Sequence, residues 1–202
     1  PWSDQVRVME SVRDHRTTCV PSCHATGKDW TAARIALWFV HAYSPSKVIT
    51  TAPTDRQVRK ILWTEIAAAH RDSSIPLGGR LLTQEYNLDR DHFMLGFAAP
   101  DYDYNKFQGF HSTHILVILD EAAGISDEVR DGVSGLMASG LVVRLLEIGN
   151  PTDPSSMFAR DCSKSSVNTI RISAFDTPNF TEYGLRQEDF DDGSWRDKVG
   201  PV

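Results

Sequence analysis

Cysteine is scarce in this chain. Three occur in 202 residues, Cys19, Cys23 and Cys162, and their spacing fits neither a disulfide framework nor a zinc knuckle. An odd, unpatterned set of thiols points to a reduced, intracellular protein. Long apolar runs are missing as well. None reaches the roughly 20 residues a membrane-spanning helix requires, and no stretch reads as a signal peptide. The chain opens at Pro1 rather than methionine, which suggests a fragment or a processed chain. Positive charge is in deficit: 21 Lys and Arg against 27 Asp and Glu give a net charge of −6. That excludes a polycation that coats nucleic acid, so any DNA contact must come from a local basic patch or from assembly. Internal repeats are absent. What remains is 41% hydrophobic and 24% charged, the composition of one soluble domain with a proper core.

Strand and helix signals alternate along the chain. Trp2 to Arg13 reads as a helix and Thr17 to Val20 as a short strand. Asp29 to Tyr43 has little polar face and reads as a largely buried helix. Lys47 to Ala52 is a buried strand. Thr54 with Gln57 forms a plausible capping box for a helix that fades near His70. Leu81 to Tyr86 and His92 to Phe97 read as two strands around Asn87-Leu88-Asp89, and Pro100 to Phe107 as a polar loop. Ile115 to Leu119 is the strongest strand. Ser126 stands at the start of a helix to Met137, and Leu141 to Ile148 is another buried strand, stopped by Gly149-Asn150-Pro151. A short helix near Ser155 to Cys162 and a strand from Val167 to Ser173 follow. Beyond Asp176 the chain is polar and acidic, with one short helix near Glu188. Alternation of this kind predicts an α/β fold with a mainly parallel central sheet flanked by helices.

Two constellations carry chemistry. The first is Ser22-Cys23-His24-Ala25-Thr26-Gly27-Lys28-Asp29, between a strand and an apolar helix. The phosphate-binding pattern is G-x-x-x-x-G-K-[ST]. Ser22 stands for the first Gly and Asp29 for the Ser or Thr, so only Gly27 and Lys28 are intact. A small-residue turn at a helix N-terminus points several N–H groups at a phosphate. An ordinary turn with an accidental Gly-Lys competes with that reading for the loop alone. The second constellation is Ile115 to Leu119 running into Asp120-Glu121, the form of a Walker B strand. Asp120 is placed to hold Mg²⁺ and Glu121 to polarise an attacking water as general base. Two weaker signals end neighbouring strands. Gly149-Asn150-Pro151-Thr152 offers a polar side chain toward a γ-phosphate, or is a plain turn. Thr50-Thr51-Ala52-Pro53-Thr54 with Gln57 touches nucleic acid in some ATPases, or is a capped helix start.

In order along the chain, Trp2 and Gln5, Ser22 to Asp29, Thr51-Ala52-Pro53-Thr54, Gln57-Val58 and Leu62-Trp63 carry a resemblance. Phe107-Gln108-Gly109-Phe110-His111, Leu116 to Ala122, Gly149 to Thr152 and Asp176-Thr177-Pro178-Asn179-Phe180 continue it. Taken together, the chain resembles the ATPase domain of the large terminase subunit of tailed bacteriophages and prophages. The resemblance implies a P-loop NTPase of the additional-strand, catalytic-glutamate type. It implies ATP and Mg²⁺ as cofactors, with Gln5 near the adenine, Lys28 on the phosphates, Asp120 on the metal, Glu121 on the water and Asn150 in a coupling motif. Implied partners are double-stranded DNA, a portal protein, a small terminase subunit and further copies in a ring, with a monomer in isolation. The implied place is the cytoplasm of the bacterial host, with no membrane. Residues 1–175 would form the ATPase core, and 176–202 would lead toward a nuclease domain lying outside this chain. A helicase-like translocase and a nucleotide-binding assembly module with degenerate catalysis are the alternatives.

Two features depart from that pattern. Asp29 places a negative charge beside the triphosphate, and is expected to contact Mg²⁺ directly or through water. The arginine expected before the B strand is replaced around Gln108-Gly109, leaving Arg80 and Arg90 as candidates to complete a site. His111 and His114 lack a third ligand with metal spacing. Cys23 and His24, as neighbours, read as loop positions rather than a nucleophile pair. Asp189, Asp191 and Asp192 read as a solvated acidic tail.

Overall fold

The computed structural model describes residues 1–98, 110–138 and 140–199. The predicted loop from Pro100 to Phe107 and the Phe107-Gln108-Gly109 portion of the family pattern lie outside the described residues. Eight strands form one sheet in the order β3-β4-β5-β2-β6-β7-β1-β8. They are β1 (Thr17–Pro21), β2 (Ser46–Ala52), β3 (Arg80–Leu81), β4 (Glu85–Asp89), β5 (His92–Ala98), β6 (His114–Leu119), β7 (Val142–Gly149) and β8 (Asn168–Thr169). From β5 to β8 every pairing is parallel. Only β3-β4-β5, at one edge, is antiparallel.

The continuous apolar run of β6 follows from its place in the centre. Leu116 and Ile118 enter the core under α1 (Ser3–Asp14) and α2 (Lys28–Ala42). Ile115, Val117 and Leu119 enter a second core under α5 (Asp127–Met137) and α6 (Met157–Asp161). A strand covered on both faces has no polar side, so its sequence cannot alternate. The same reasoning explains α2, whose Ala32, Ala33, Ile35, Ala36, Phe39 and Val40 are all buried.

The helical run after β2 is broken into α3 (Asp55–Gln57), a π-helical turn (Val58–Leu62) and α4 (Trp63–Arg71). Trp63 then reaches the sheet, where its Nε1 donates to Thr50 Oγ1 at 2.9 Å. It fits because Gly96 on β5 carries no side chain to collide with the indole. Nothing in the apolar spacing announced this bulge.

Several boundaries differ from the sequence expectation. Asn87, Leu88 and Asp89 belong to β4, and the hairpin turns two residues later, at Arg90-Asp91. The expected strand from Val167 to Ser173 forms a ladder only at Asn168–Thr169, with an isolated bridge at Ile172. Thr54 caps α3 by accepting from Gln57 N–H, but its hydroxyl also donates to Gln57 Oε1, so the reciprocal half of the box is not made. Ser126 occupies the N-cap of α5 without a side-chain capping bond.

The polar segment after Asp176 holds three short helices, α7 (Pro178–Thr181), α8 (Gln187–Asp192) and α9 (Trp195–Val199). Phe175, Phe180, Phe190 and Trp195 meet in one aromatic cluster that joins them. Asp189 is therefore no solvated tail residue. It is buried, accepts Arg186 N–H at the start of α8, and pairs with Lys198 at 2.8 Å.

Candidate active site

β1 delivers the chain into Ser22–Gly27 between two fixed neighbours. Ser22 N–H donates to Gly149 O and Cys23 N–H to Ile172 O, both at 3.0 Å. Ala25 and Gly27 both adopt left-handed backbone, with φ of 60° and 73°. Such turns gather successive N–H groups at a helix start, a ready anion site. At Gly27 the demand for glycine is double. Its φ is positive, and a Cβ there would stand 2.6 Å from Gln5 Nε2.

Lys28 opens α2, with Nζ 3.2 Å from Glu121 Oε1 and 3.8 Å from Asp29 Oδ2. Burial alone would lower its pKa. Asp29 and Glu121 outweigh that, and the pKa is raised. Asp120, 1% exposed, ends β6. Its Oδ1 accepts Glu121 N–H at 2.8 Å. Burial, then Asp29 and Glu121, push Asp120 up to about 8, and burial likewise raises Asp29. Two carboxylates this close and this dry do not both ionise without a cation or a shared proton.

Among the described residues, seven buried side-chain polar atoms lack a hydrogen-bond partner. Six lie on Ser22, Thr26, Asp29, Thr51, Asp120 and Asn150, at the C-terminal ends of β1, β2, β6 and β7 and in the loop they frame. Buried polar groups in native proteins are satisfied almost without exception. Orphans gathered at one sheet edge, where open α/β sheets bind ligands, mark a site made for a polar ligand. The oxygen set also fits Mg²⁺, a hard cation that takes one or two carboxylates and leaves the rest of its shell to phosphate and water. Among the described residues no group of three or more His, Cys, Asp or Glu forms a cage by itself.

Asn150 follows β7. Its Nδ2 lies 2.8 Å from Nε2 of His24, in the loop. Gln5 lies against the loop from α1: Nε2 donates to Thr26 O at 3.5 Å, and Oε1 accepts Trp2 N–H at 3.2 Å. Both ends of its amide are thus engaged by protein. Cys23 is half-buried and its thiol contacts only the His24 carbonyl. A cavity of about 660 Å³ adjoins the loop, lined by Ser22, Cys23, Asn150, Thr152, Phe158 and Arg171. Arg80 and Arg90 are exposed, at the β3-β4 edge, while β1 lies near the other. His114 stacks on Tyr43 and bonds the Pro45 carbonyl, a structural role.

Sequence reading missed one buried charge cluster beside the site. Arg130 of α5 bonds Glu147 Oε1 at 2.8 Å, Asp161 Oδ2 at 2.9 Å and the Ala122 carbonyl at 2.9 Å. The signals were present. Arg130 interrupts the apolar stripe of Val129, Val133 and Leu136, and Glu147 interrupts the apolar run of β7.

A mainly parallel sheet with β7 inserted between loop strand β1 and acid strand β6 defines the class: a P-loop NTPase fold. No known family profile matches the chain. By sequence it is 26% identical over 170 residues to a protein of Enterobacteria phage P7 described as "Probable terminase, large subunit". That match covers 78% of this chain and 33% of the relative, so the chain spans about a third of the relative's length. By structure it is similar to a point variant of the large terminase ATPase domain of Thermus phage P74-26. The TM-score is 0.68 at 16% identity, over 94% of this chain and 91% of the other. It is also similar to the large terminase of a thermophilic bacteriophage solved in complex with ADP. There the TM-score is 0.69 at 12% identity, over 96% of this chain and 50% of the other. The resemblance to large terminase ATPase domains therefore holds in both sequence and fold.

Proposed function

We propose that this chain is a Mg²⁺-dependent ATPase, the motor domain of a viral DNA-packaging terminase. The observation that carries the reading is the set of partnerless buried oxygens around Lys28. Protein groups leave their demand unmet, and a metal-bound triphosphate meets it. Lys28 and the N–H groups from His24 to Lys28 hold the phosphates. Asp120 and Asp29 are the residues that would hold Mg²⁺, which when bound would supply neutralisation of the phosphate charge. Glu121, paired with Lys28 until nucleotide draws the lysine away, accepts the proton of the attacking water. Asn150, bonded to His24, reports the state of the phosphate loop to β7. Gln5 braces the loop and, with Trp2, borders the adenine. Hydrolysis then drives double-stranded DNA toward a procapsid, with portal protein, small subunit and further copies of the chain as partners.

ATP hydrolysis by the wild type and by Glu121→Ala tests the reading. Hydrolysis abolished by the substitution supports it. No hydrolysis under any condition favours a nucleotide-binding assembly module, the reading that Ser22 and Asp29 would suit.

A further inference from the structure

Glu121 is not glycine, yet its backbone is left-handed, with φ 47° and ψ 47°. A conformation that L side chains avoid persists only where surroundings over-determine it. The turn is gripped at several points. Glu121 N–H is bonded to Asp120 Oδ1 at 2.8 Å, and the Glu121 carbonyl to Gly124 N–H at 2.9 Å. On the next residue, Arg130 Nη2 donates to the Ala122 carbonyl at 2.9 Å.

Arg130 is itself held on two sides. Nη1 donates to Glu147 Oε1 at 2.8 Å and to Asp161 Oδ2 at 2.9 Å. Glu147 is fixed in turn by the Cys19 thiol at 3.5 Å, from the strand that leads into the phosphate loop. Arg130 and Glu147 are 6% and 1% exposed, so this is an interior network and not a surface ion pair. Glu147 lies on β7, three residues before Asn150, which follows that strand.

We propose that Arg130 is a positioning residue for the hydrolytic site. Its guanidinium fork clamps the Ala122 carbonyl, and through it the Glu121 backbone, to β7 by way of Glu147 and to α6 by way of Asp161. Arginine suits this task because one rigid planar group serves three acceptors, which a lysine ammonium on a flexible stem cannot do in the same geometry. Movement of β7 and of the Glu121 turn is thereby linked through one side chain. The proposal rests on the ATPase reading for the role of Glu121. The clamp itself can be read without turnover.

The experiment compares wild type with Arg130→Lys and with the double variant Arg130→Met/Glu147→Gln. The double variant removes the charge without leaving Glu147 ionised, and Asp161 keeps its ion pair with Lys164, so the fold is retained. Amide exchange reads the turn directly. Gly124 and Ile125 N–H, bonded to the Glu121 and Ala122 carbonyls, are expected to exchange about tenfold faster or more in both variants, with β1 and β2 amides unchanged. Binding of a fluorescent ATP analogue is expected within about twofold of wild type, and kcat to fall by about tenfold or more. Unchanged exchange at Gly124 and Ile125, or a kcat loss that merely tracks the unfolded fraction, would overturn the clamp. A wild type without hydrolysis overturns the ATPase reading instead, and the exchange measurement still judges Arg130.

Discussion

Asp29 and Asp120 hold their carboxyl groups close together at the N-terminus of α2, each with a buried oxygen that no protein donor reaches. This pair makes the protein's stability depend on pH with a definite sign. Both folded-state pKa values are raised above their ordinary values, that of Asp120 to about 8. The native state therefore binds protons that the unfolded chain has already released between about pH 4 and 8. Stability without nucleotide is highest at the acid end of that window and declines as pH rises toward 8. A single such group contributes a slope of up to about 1.4 kcal/mol per pH unit. Denaturant melts from pH 5 to 8 are expected to show the decline, and Asp120→Asn to flatten it. A wild-type profile that rises over this range would contradict the pairing.

Under the ATPase reading, the same two residues would set the metal requirement. With Asp29 contacting Mg²⁺, Asp29→Ala shifts the midpoint of the Mg²⁺ dependence of ATP hydrolysis upward by about tenfold, the loss that follows removal of one interaction near a metal site. Titration of Mg²⁺ at saturating ATP measures it. If the midpoint stays in place, Asp29 points away from the ion and a water takes the position of the usual hydroxyl.

Glycines separate a crowded turn from an open one. A Cβ at Gly149 would stand 2.9 Å from Ala122 N and 3.3 Å from the Glu121 carbonyl carbon, both backbone atoms. Gly149→Ala must push the end of β7 off the Glu121 turn, a destabilisation of about 1–3 kcal/mol, and hydrolysis falls with it. Gly135, exposed in the last turn of α5, has nothing within 4 Å of such a Cβ. Gly135→Ala is expected to stabilise by about 1 kcal/mol. Urea melts of the two variants, run side by side, check both signs.

The central sheet was legible in the sequence because burial on both faces writes a continuous apolar run, as in Ile115 to Leu119. The positions of Asp120 and Glu121 were legible because they follow such a strand, and that of Lys28 because it opens a helix after a small-residue turn. Three features were not. The π turn at Val58–Leu62 answers to Gly96 and Thr50, on strands elsewhere in the chain, so local spacing carries no trace of it. The His24–Asn150 contact joins residues 126 positions apart. Asp189 looked like one more charge in an acidic tail until Lys198 and the turn at Arg186 closed around it.

Among the described residues, no arginine forms an ion pair with Asp29, Asp120 or Glu121. Arg80 and Arg90 lie on an exposed sheet edge remote from the phosphate loop. Under the ATPase reading, completion of the site by an arginine from a neighbouring copy is the expectation. An arginine supplied in trans contributes about 10³–10⁵ in rate to related phosphoryl transfers. The isolated chain is accordingly expected to turn over ATP slowly, with turnover per chain rising as concentration favours contact between copies. Rates measured across a wide concentration range, with and without double-stranded DNA, decide the matter. If dilute protein without DNA is fast, and turnover per chain does not change with concentration, the arginine is in cis. Parallel series with Arg80→Ala and Arg90→Ala then ask which side chain acts. The variant that removes the concentration-dependent gain, while nucleotide binding is retained, identifies the donor.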